Sequence, residues 1–367
     1  MAEQQSSRTQ VTAPTSSKAE PEYSPKALEK WMSELPSYLS ALPLCQLKIP
    51  GSHDSGSTDD LDKSLPVAND QSSLIRNLGI SSWVKSGIKR WAVTQRHGIG
   101  DQLRAGVRYL DLRISYPPPK VRTSNTDFRV VHALYGISVQ KLLAEVIDFL
   151  KENPKEVVIL DINHLYGFDT QSLTDLRRKI VSMLGKHRMC PFTPIIQNVT
   201  LDFMWENRYR VIVIDCEAAE TEGNPIWAWS SIESPWPQTS NRKVLLKKLD
   251  ENIEARSKDE ASKSSTFFVS QGVLTPEPQD VLRRWFSSLR KSYSTRANKA
   301  VLGWLNDLSE ENKEKVNIVL LDFVCAESSG DILSLNAVMG PKAAKGSAET
   351  KSAIVESSTN LADPVLA

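Results

Sequence analysis

The chain has 367 residues, 40% hydrophobic and 24% charged, which is ordinary for a soluble globular protein and comfortable for one large barrel. A net charge of +1 gives no strongly basic surface, so nucleic acid is not an expected partner. No apolar run, the longest lying around Val157–Leu160 with Ile162, approaches the roughly 20 residues that cross a bilayer.

In chain order, residues 1–24 are rich in Ser, Thr, Gln and Pro and read as a disordered tail. Leu28–Leu39, with Trp31 and Met32, predicts a short amphipathic helix closing a barrel floor. The apolar run Leu44–Ile49 predicts a first strand, with Pro50-Gly51 turning the chain to deliver His53 and Asp54. Asp59–Ser72 is polar and reads as a loop. Trp83–Trp91 sets two Trp among three cations. It is either a core-facing helix with a solvated basic face or a contact with a membrane surface.

Val107–Arg113 alternates like a strand and ends in Asp111 and Arg113; Phe128–His132 is a further short strand ending in His. Ser138–Asn153 and Thr170–Leu184 have helical spacing, and Glu156–His164 between them is a strand of the buried parallel type. Arg208–Asp215 continues the series, and Pro225–Trp236 holds three Trp around a short strand. A charged helix at Arg242–Arg256, a strand at Phe267–Ser270 and helices at Asp280–Leu289 and Ala297–Leu308 lead to Val316–Asp322, a buried strand ending in a carboxylate. About eight strands interleaved with helices predict a single distorted (β/α)8 TIM-type barrel over residues 25–335, with a disordered tail over 336–367. Cys45, Cys190, Cys216 and Cys325 lack metal-type spacing, and three of them adjoin apolar strands. Reduced thiols and a cytoplasmic location are expected.

Polar residues therefore gather at strand ends, where a parallel barrel keeps its catalytic groups. Two of them are His, suited to proton transfer near neutrality. Pro50-Gly51-Ser52-His53-Asp54-Ser55, Asp111-Leu112-Arg113 and Val131-His132 together resemble the catalytic X region of phosphatidylinositol-specific phospholipase C. The likeness is to the small proteins that carry this X domain without accessory domains. It runs from about Leu44 to Cys325, with the core X region at about 44–220.

That resemblance implies cleavage of an inositol phospholipid at a membrane surface, with transient association and a cyclic phosphate as first product. It makes His53 the general base, His132 the general acid, Arg113 the cation on the phosphate, Asp54 the carboxylate serving His132, and Asp322 the carboxylate orienting His53. Asp111, Asp161, His164 and Arg210 are substrate-binding candidates. Asp111 could equally be a structural partner of Arg113, His164 a packing or capping residue, and Arg210 or Asp215 part of a surface ion pair. Calcium-dependent members carry Asn after the first His and carboxylates at the positions of Asp111, Arg113 and Asn163. Asp54 and Arg113 depart from that pattern, since a guanidinium cannot ligate calcium. The expectation is a metal-independent site without cofactor, Arg113 supplying the charge a metal would bring. The rivals are a glycerophosphodiester-type lipase, whose Glu-x-Asp motif Asp111-Leu-Arg113 does not match, and a catalytically silent phosphoinositide-binding or scaffold protein. Oligomeric state is not legible.

Overall fold

Near-continuous apolar strands pair best in parallel with both faces covered, and the chain follows that rule. The computed structural model describes residues 27–340, apart from 74–75, 77–80 and 259–265. The tail expected at 1–24, and residues 341–367 of the tail expected at 336–367, lie outside the described residues. In chain order the strands are β1 (Ile49–Ser52), β2 (Tyr109–Ser115), β3 (Arg129–His132), β4 (Leu134–Ser138), β5 (Val158–Tyr166), β6 (Val211–Asp215), β7 (Ile226–Ala228), β8 (Ile232–Glu233), β9 (Phe267–Gln271) and β10 (Ile318–Leu321). Eight of them form one curled parallel sheet in the order β7-β6-β5-β2-β1-β10-β9-β8. This is a TIM-type barrel in a single domain. It is open between the short strands β7 and β8, which a helical turn at Trp229–Ser231 separates.

Alternation along the strands sorts residues to two faces. Ile49, Tyr109, Ile159, Ile212, Phe267 and Ile318 point inward and pack with Trp31, Met32 and Leu39. Leu110, Leu112, Leu160 and Val213 point outward onto the helices Val139–Glu152 and Thr170–Leu184. Both helices match their sequence periodicity, and Ser138 caps the first by accepting from the Lys141 amide.

Four expectations change. Pro50-Gly51 lies inside β1 rather than turning the chain after it. Pro50 needs to give β2 only its carbonyl, which accepts from the Arg108 amide. Gly51 leaves the space that the Tyr109 ring fills, 2.9 Å from where a Cβ would stand. Leu28–Leu39 is not one helix: a turn at Leu28–Lys30 and another at Ser37–Ser40 flank Pro36. The segment still seals the floor, because the Trp31 indole donates to Gly106 O and buried Glu156 accepts from the Met32 and Ser33 amides. Finally, β3 runs antiparallel to β2 and forms a hairpin with β4 outside the parallel set. At the other end, the chain keeps its structure past residue 335: Leu335–Val338 forms a further turn, and buried Asn336 bonds both backbone groups of Lys48.

Candidate active site

β2, β1 and β10 are neighbours, so their carboxyl ends bring Arg113, His53 and Asp322 together. The β3–β4 hairpin folds back over this end and adds His132 at its turn. The residue after each of three site residues is left-handed: Asp54 (φ 41°) after His53, Ala133 (φ 58°) after His132, and Phe323 (φ 47°) after Asp322. Each such turn stops the chain abruptly while aiming the preceding side chain at the centre.

Asp54 is the hub. Its Oδ1 lies 2.7 Å from Arg113 Nε, and its Oδ2 lies 3.4 Å from His53 Nε2 and 3.6 Å from His132 Nε2. His53 Nδ1 is 2.8 Å from Asp322 Oδ1, which fixes the proton on that nitrogen and leaves Nε2 facing the pocket. His132 Nδ1 donates to Ala92 O at 2.7 Å, so its Nε2 also faces inward. Behind them, Asp111 is buried; it accepts from the Asp54 amide at 2.9 Å and from the Asn163 side chain. Asn163 reaches it from an irregularity of register where Arg113 pairs with His164 instead of with Asn163.

Burial alone would discourage charge here, but the groups are mutually compensating. Burial works to lower the His53 pKa, yet Asp54, Asp322 and Asp111 outweigh it and hold it up at about 9. Burial works to raise the Asp54 carboxyl, yet Arg113, His53 and His132 hold it down at about 2. Burial also opposes the Arg113 charge, and Asp54 then Asp111 override it. Asp111 moves up, through burial and the neighbouring Asp54 charge.

The substrate-binding candidates separate. His164 is exposed at the mouth, the register partner of Arg113, stacked with Tyr166 and bonded to Asn163 Oδ1. Asp111 sits behind the site, locked by the two bonds above. Asp161 is a correction. It is fully buried in mid-strand below the site, bonded to the Tyr109 hydroxyl, and burial with Asp111 and Asp215 raises it to about 7. The physical reason is that β5 runs on to Tyr166, so Asp161 does not end it. Arg210 is the other correction. It immediately precedes β6, at the opposite end of the barrel, beside Lys151, Arg188 and Arg208. Asp215 takes Arg177 in an ion pair of 2.8 Å.

Sequence reasoning missed three supporting residues. Buried Ser294, on a π-helical turn at Arg290–Ser294, donates to Asp322 Oδ2 at 2.8 Å. Such wide turns are frequent at functional sites, but no sequence signal marks one. The Gln95 amide ties His53 O to Leu321 O, and its carbonyl accepts from Val324 N. The Thr94 hydroxyl donates to Asp54 O. The only hint was a polar Thr-Gln pair following the Trp-rich helix.

The pocket above these groups has a volume of about 390 Å³. Its floor is His53, Arg113, His132 and Asp322, and its walls include Trp91, Trp236, Leu274, Val281 and Trp285. The Trp residues of the two Trp-rich stretches take different places. Trp91 packs inward and Trp227 is core, donating to Cys190 O, whereas Trp83 is 63% exposed. Trp83 adjoins Trp285 and Phe286, and Phe286 and Leu282 are 82% and 73% exposed. A charged cleft floor with an apolar rim suits a ligand that is anionic at one end and greasy at the other. His53, Asp54 and Asp111 offer ligand atoms within 4.8 Å of one another, a spacing open to a cation in principle. Calcium asks for six or more oxygens, and here Arg113 already stands on Asp54, so the donor set does not fit that ion.

No family model matches the chain. PI-PLC X domain-containing protein 3 of Homo sapiens is 33% identical over 309 residues, covering 84% of this chain and 92% of that protein. PI-PLC X domain-containing protein 2 of Homo sapiens is 34% identical over 270 residues, covering 73% and 85%. Among solved structures, the phosphatidylinositol-specific phospholipase C from Listeria monocytogenes superposes with a TM-score of 0.59 at 18% identity, over 84% of this chain and 99% of that one. That likeness concerns the fold. The identity to human relatives along most of their length carries the assignment: the chain belongs to the PI-PLC X domain-containing protein family.

Proposed function

We propose that this chain is a metal-independent phosphodiesterase of phospholipase C type acting on inositol phospholipids. The observation that carries the reading is the convergence of His53, His132 and Arg113 on Asp54, with Asp322 behind His53. The unprotonated form of His53, the minority below about pH 9, takes at Nε2 the proton of the inositol 2-hydroxyl as that oxygen attacks phosphorus. His132 Nε2 gives a proton to the departing glycerol oxygen. The P–O bond to diacylglycerol breaks, and a cyclic inositol phosphate remains. Arg113 balances the charge that builds on the phosphoryl oxygens. Asp322 stabilises the imidazolium formed on His53, and Asp54 does so for His132. His164, beside Arg113, is placed to meet inositol hydroxyls. The apolar rim of Trp83, Leu282 and Phe286 supports transient contact with a bilayer by a chain that works in the cytoplasm.

The test is incubation of the pure chain with labelled phosphatidylinositol in excess chelator, identifying the water-soluble product. Cyclic inositol phosphate is expected, and His53→Ala or His132→Ala should each remove about 10²–10⁴ of the rate. A folded wild-type protein that binds the lipid and releases nothing would replace this reading with a silent binding protein. A strict need for calcium would show that Arg113 does not serve the phosphate.

A further inference from the structure

A second depression lies beside the catalytic pocket. It has a volume of about 770 Å³ and shares Leu274 as a wall with the catalytic pocket. Its position follows from the topology. The helix Arg242–Lys258 follows β8, the helix Pro278–Arg283 follows β9, and Arg290–Ser294, whose last residue bonds Asp322, opens the helix Thr295–Asp307. In a parallel barrel the chain leaving a strand stays on the carboxyl face, so these starts sit on the face that carries the site.

The groove is basic. Arg242, Lys243, Arg284 and Arg296 line it against a single acid, Asp280. That acid is engaged by the Tyr293 hydroxyl, whose pKa burial and Asp280 push up to about 12. Among the described residues none of the four cations has an ion-pair partner within 4.0 Å. Ser240, Asn241 and Ser292 add polar groups, while Leu246 and Leu274 make an apolar lining. One segment serves both surfaces: Asp280 and Arg284 line the groove, and Leu282 and Phe286 are exposed as the greasy rim. Cations set next to exposed aromatic and aliphatic side chains complement one surface above others, an anionic bilayer.

We propose that this groove is a second headgroup site, which takes the phosphate of an anionic phospholipid that is not the substrate while the neighbouring pocket holds the lipid to be cleaved. The proposal rests on the reading that the mouth faces a bilayer, and it adds a lipid requirement separate from turnover. It also gives the rim a direction, since Phe286 can enter the bilayer only where the Arg284 side finds negative charge.

The test is sedimentation of the intact chain with phosphatidylcholine vesicles, with and without phosphatidylserine. Phosphatidylserine should raise binding by the wild type. Arg284→Ala/Arg296→Ala should lose about 25-fold of that gain, from about fivefold per cation near an anionic surface. Arg242→Ala/Lys243→Ala should lose a similar factor and covers the case in which the first pair unfolds. The charge-matched control is Lys291→Ala/Lys299→Ala, two exposed cations outside the groove with no ion pair within 4.0 Å among the described residues. It should retain most of the gain. An equal loss in the control would overturn the site in favour of a diffuse field. So would retention of the gain by both groove pairs. Displacement by glycerol phosphate at the vesicle lipid's concentration would assign the groove to free phosphates and overturn the lipid. Catalysis is scored apart: a chain that cleaves no phosphatidylinositol yet shows the groove-dependent gain sinks the enzyme and leaves this site standing.

Discussion

At the residue scale, Asp322 has two oxygens and two tasks: one orients His53 and the other accepts from Ser294. Ser294 is therefore a positioning residue that acts through Asp322. Ser294→Ala removes a hydrogen bond to a charged group, typically about 1.5–3 kcal/mol, and leaves the Asp322 charge less shared and more strongly felt by His53. His53 should then hold its proton more firmly, so the acid limb of kcat/KM should move to higher pH. Asp322→Asn should move it the other way, because a carboxylate that raises His53 is gone. Ser294→Thr should restore the wild-type profile. A Ser294→Ala variant that melts earlier with an unmoved pH limb would make Ser294 merely structural. Arg113 gives a second case: its loss to Ala should cost on the order of 3 kcal/mol of transition-state stabilisation, and Lys should recover only part of it. An Arg113→Lys enzyme with wild-type kcat/KM would count against a planar fork on the phosphate.

At the scale of elements, motif residues were legible because short runs such as Pro50–Ser55 carry their chemistry locally. Placement was less legible, because it depends on where a strand ends. The apolar run suggested that β5 stops at His164; it runs two residues further, and Asp161 falls into mid-strand. His132 was expected at the end of a barrel strand; it stands instead on a returning hairpin. Ser294 was illegible, because its partner is 28 residues away and a π-helical turn sets its phase. The helix Ser82–Ala92 divides its two Trp: Trp91 packs inward and Trp83 is exposed. Trp83→Ala/Phe286→Ala should cut vesicle binding by about tenfold or more, with stability changed by less than about 1 kcal/mol. Trp227→Ala should instead cost about 3–5 kcal/mol of stability. Chemical unfolding beside vesicle sedimentation separates the two; a sharp fall in stability for the exposed pair would return them to the core.

At the scale of the whole molecule, ionisable groups are buried at the mouth and at mid-barrel as well as in the Arg108–Glu156 pair of the floor, and stability inherits their titration. His53 is raised to about 9 from 6.5, so the fold binds its proton more tightly than the unfolded chain does. That contribution is complete below pH 6.5 and is lost as pH rises through about 9. It amounts to at most about 3 kcal/mol. Asp161 is raised to about 7 from 3.8, so its protonated form favours the fold, and stability falls as pH climbs between those values. Buried Lys48, lowered to about 7, adds stability as pH rises above that value, so the test is the difference between proteins: relative to His53→Gln, the wild type should lose thermal stability from pH 6.5 to 9. Asp161→Asn should flatten the lower window. Parallel curves for wild type and variants would mean that neither group carries the linkage.

The left-handed turns after His53, His132 and Asp322 bear on how this molecule could evolve. A laboratory selection for heat resistance alone would find glycine at position 133, since Ala at φ 58° forgoes up to about 1 kcal/mol and both of its backbone bonds, to Asp70 and Ala68, survive the change. The same glycine frees the hinge that aims His132. Ala133→Gly should melt higher and turn over more slowly, a trade measurable in one preparation by calorimetry and kcat; a variant that improves in both would show that the turn carries no cost for its function. Robust descendants of this barrel would thus drift toward silence one turn at a time, with the fold intact and each lost step looking, to a stability screen, like progress.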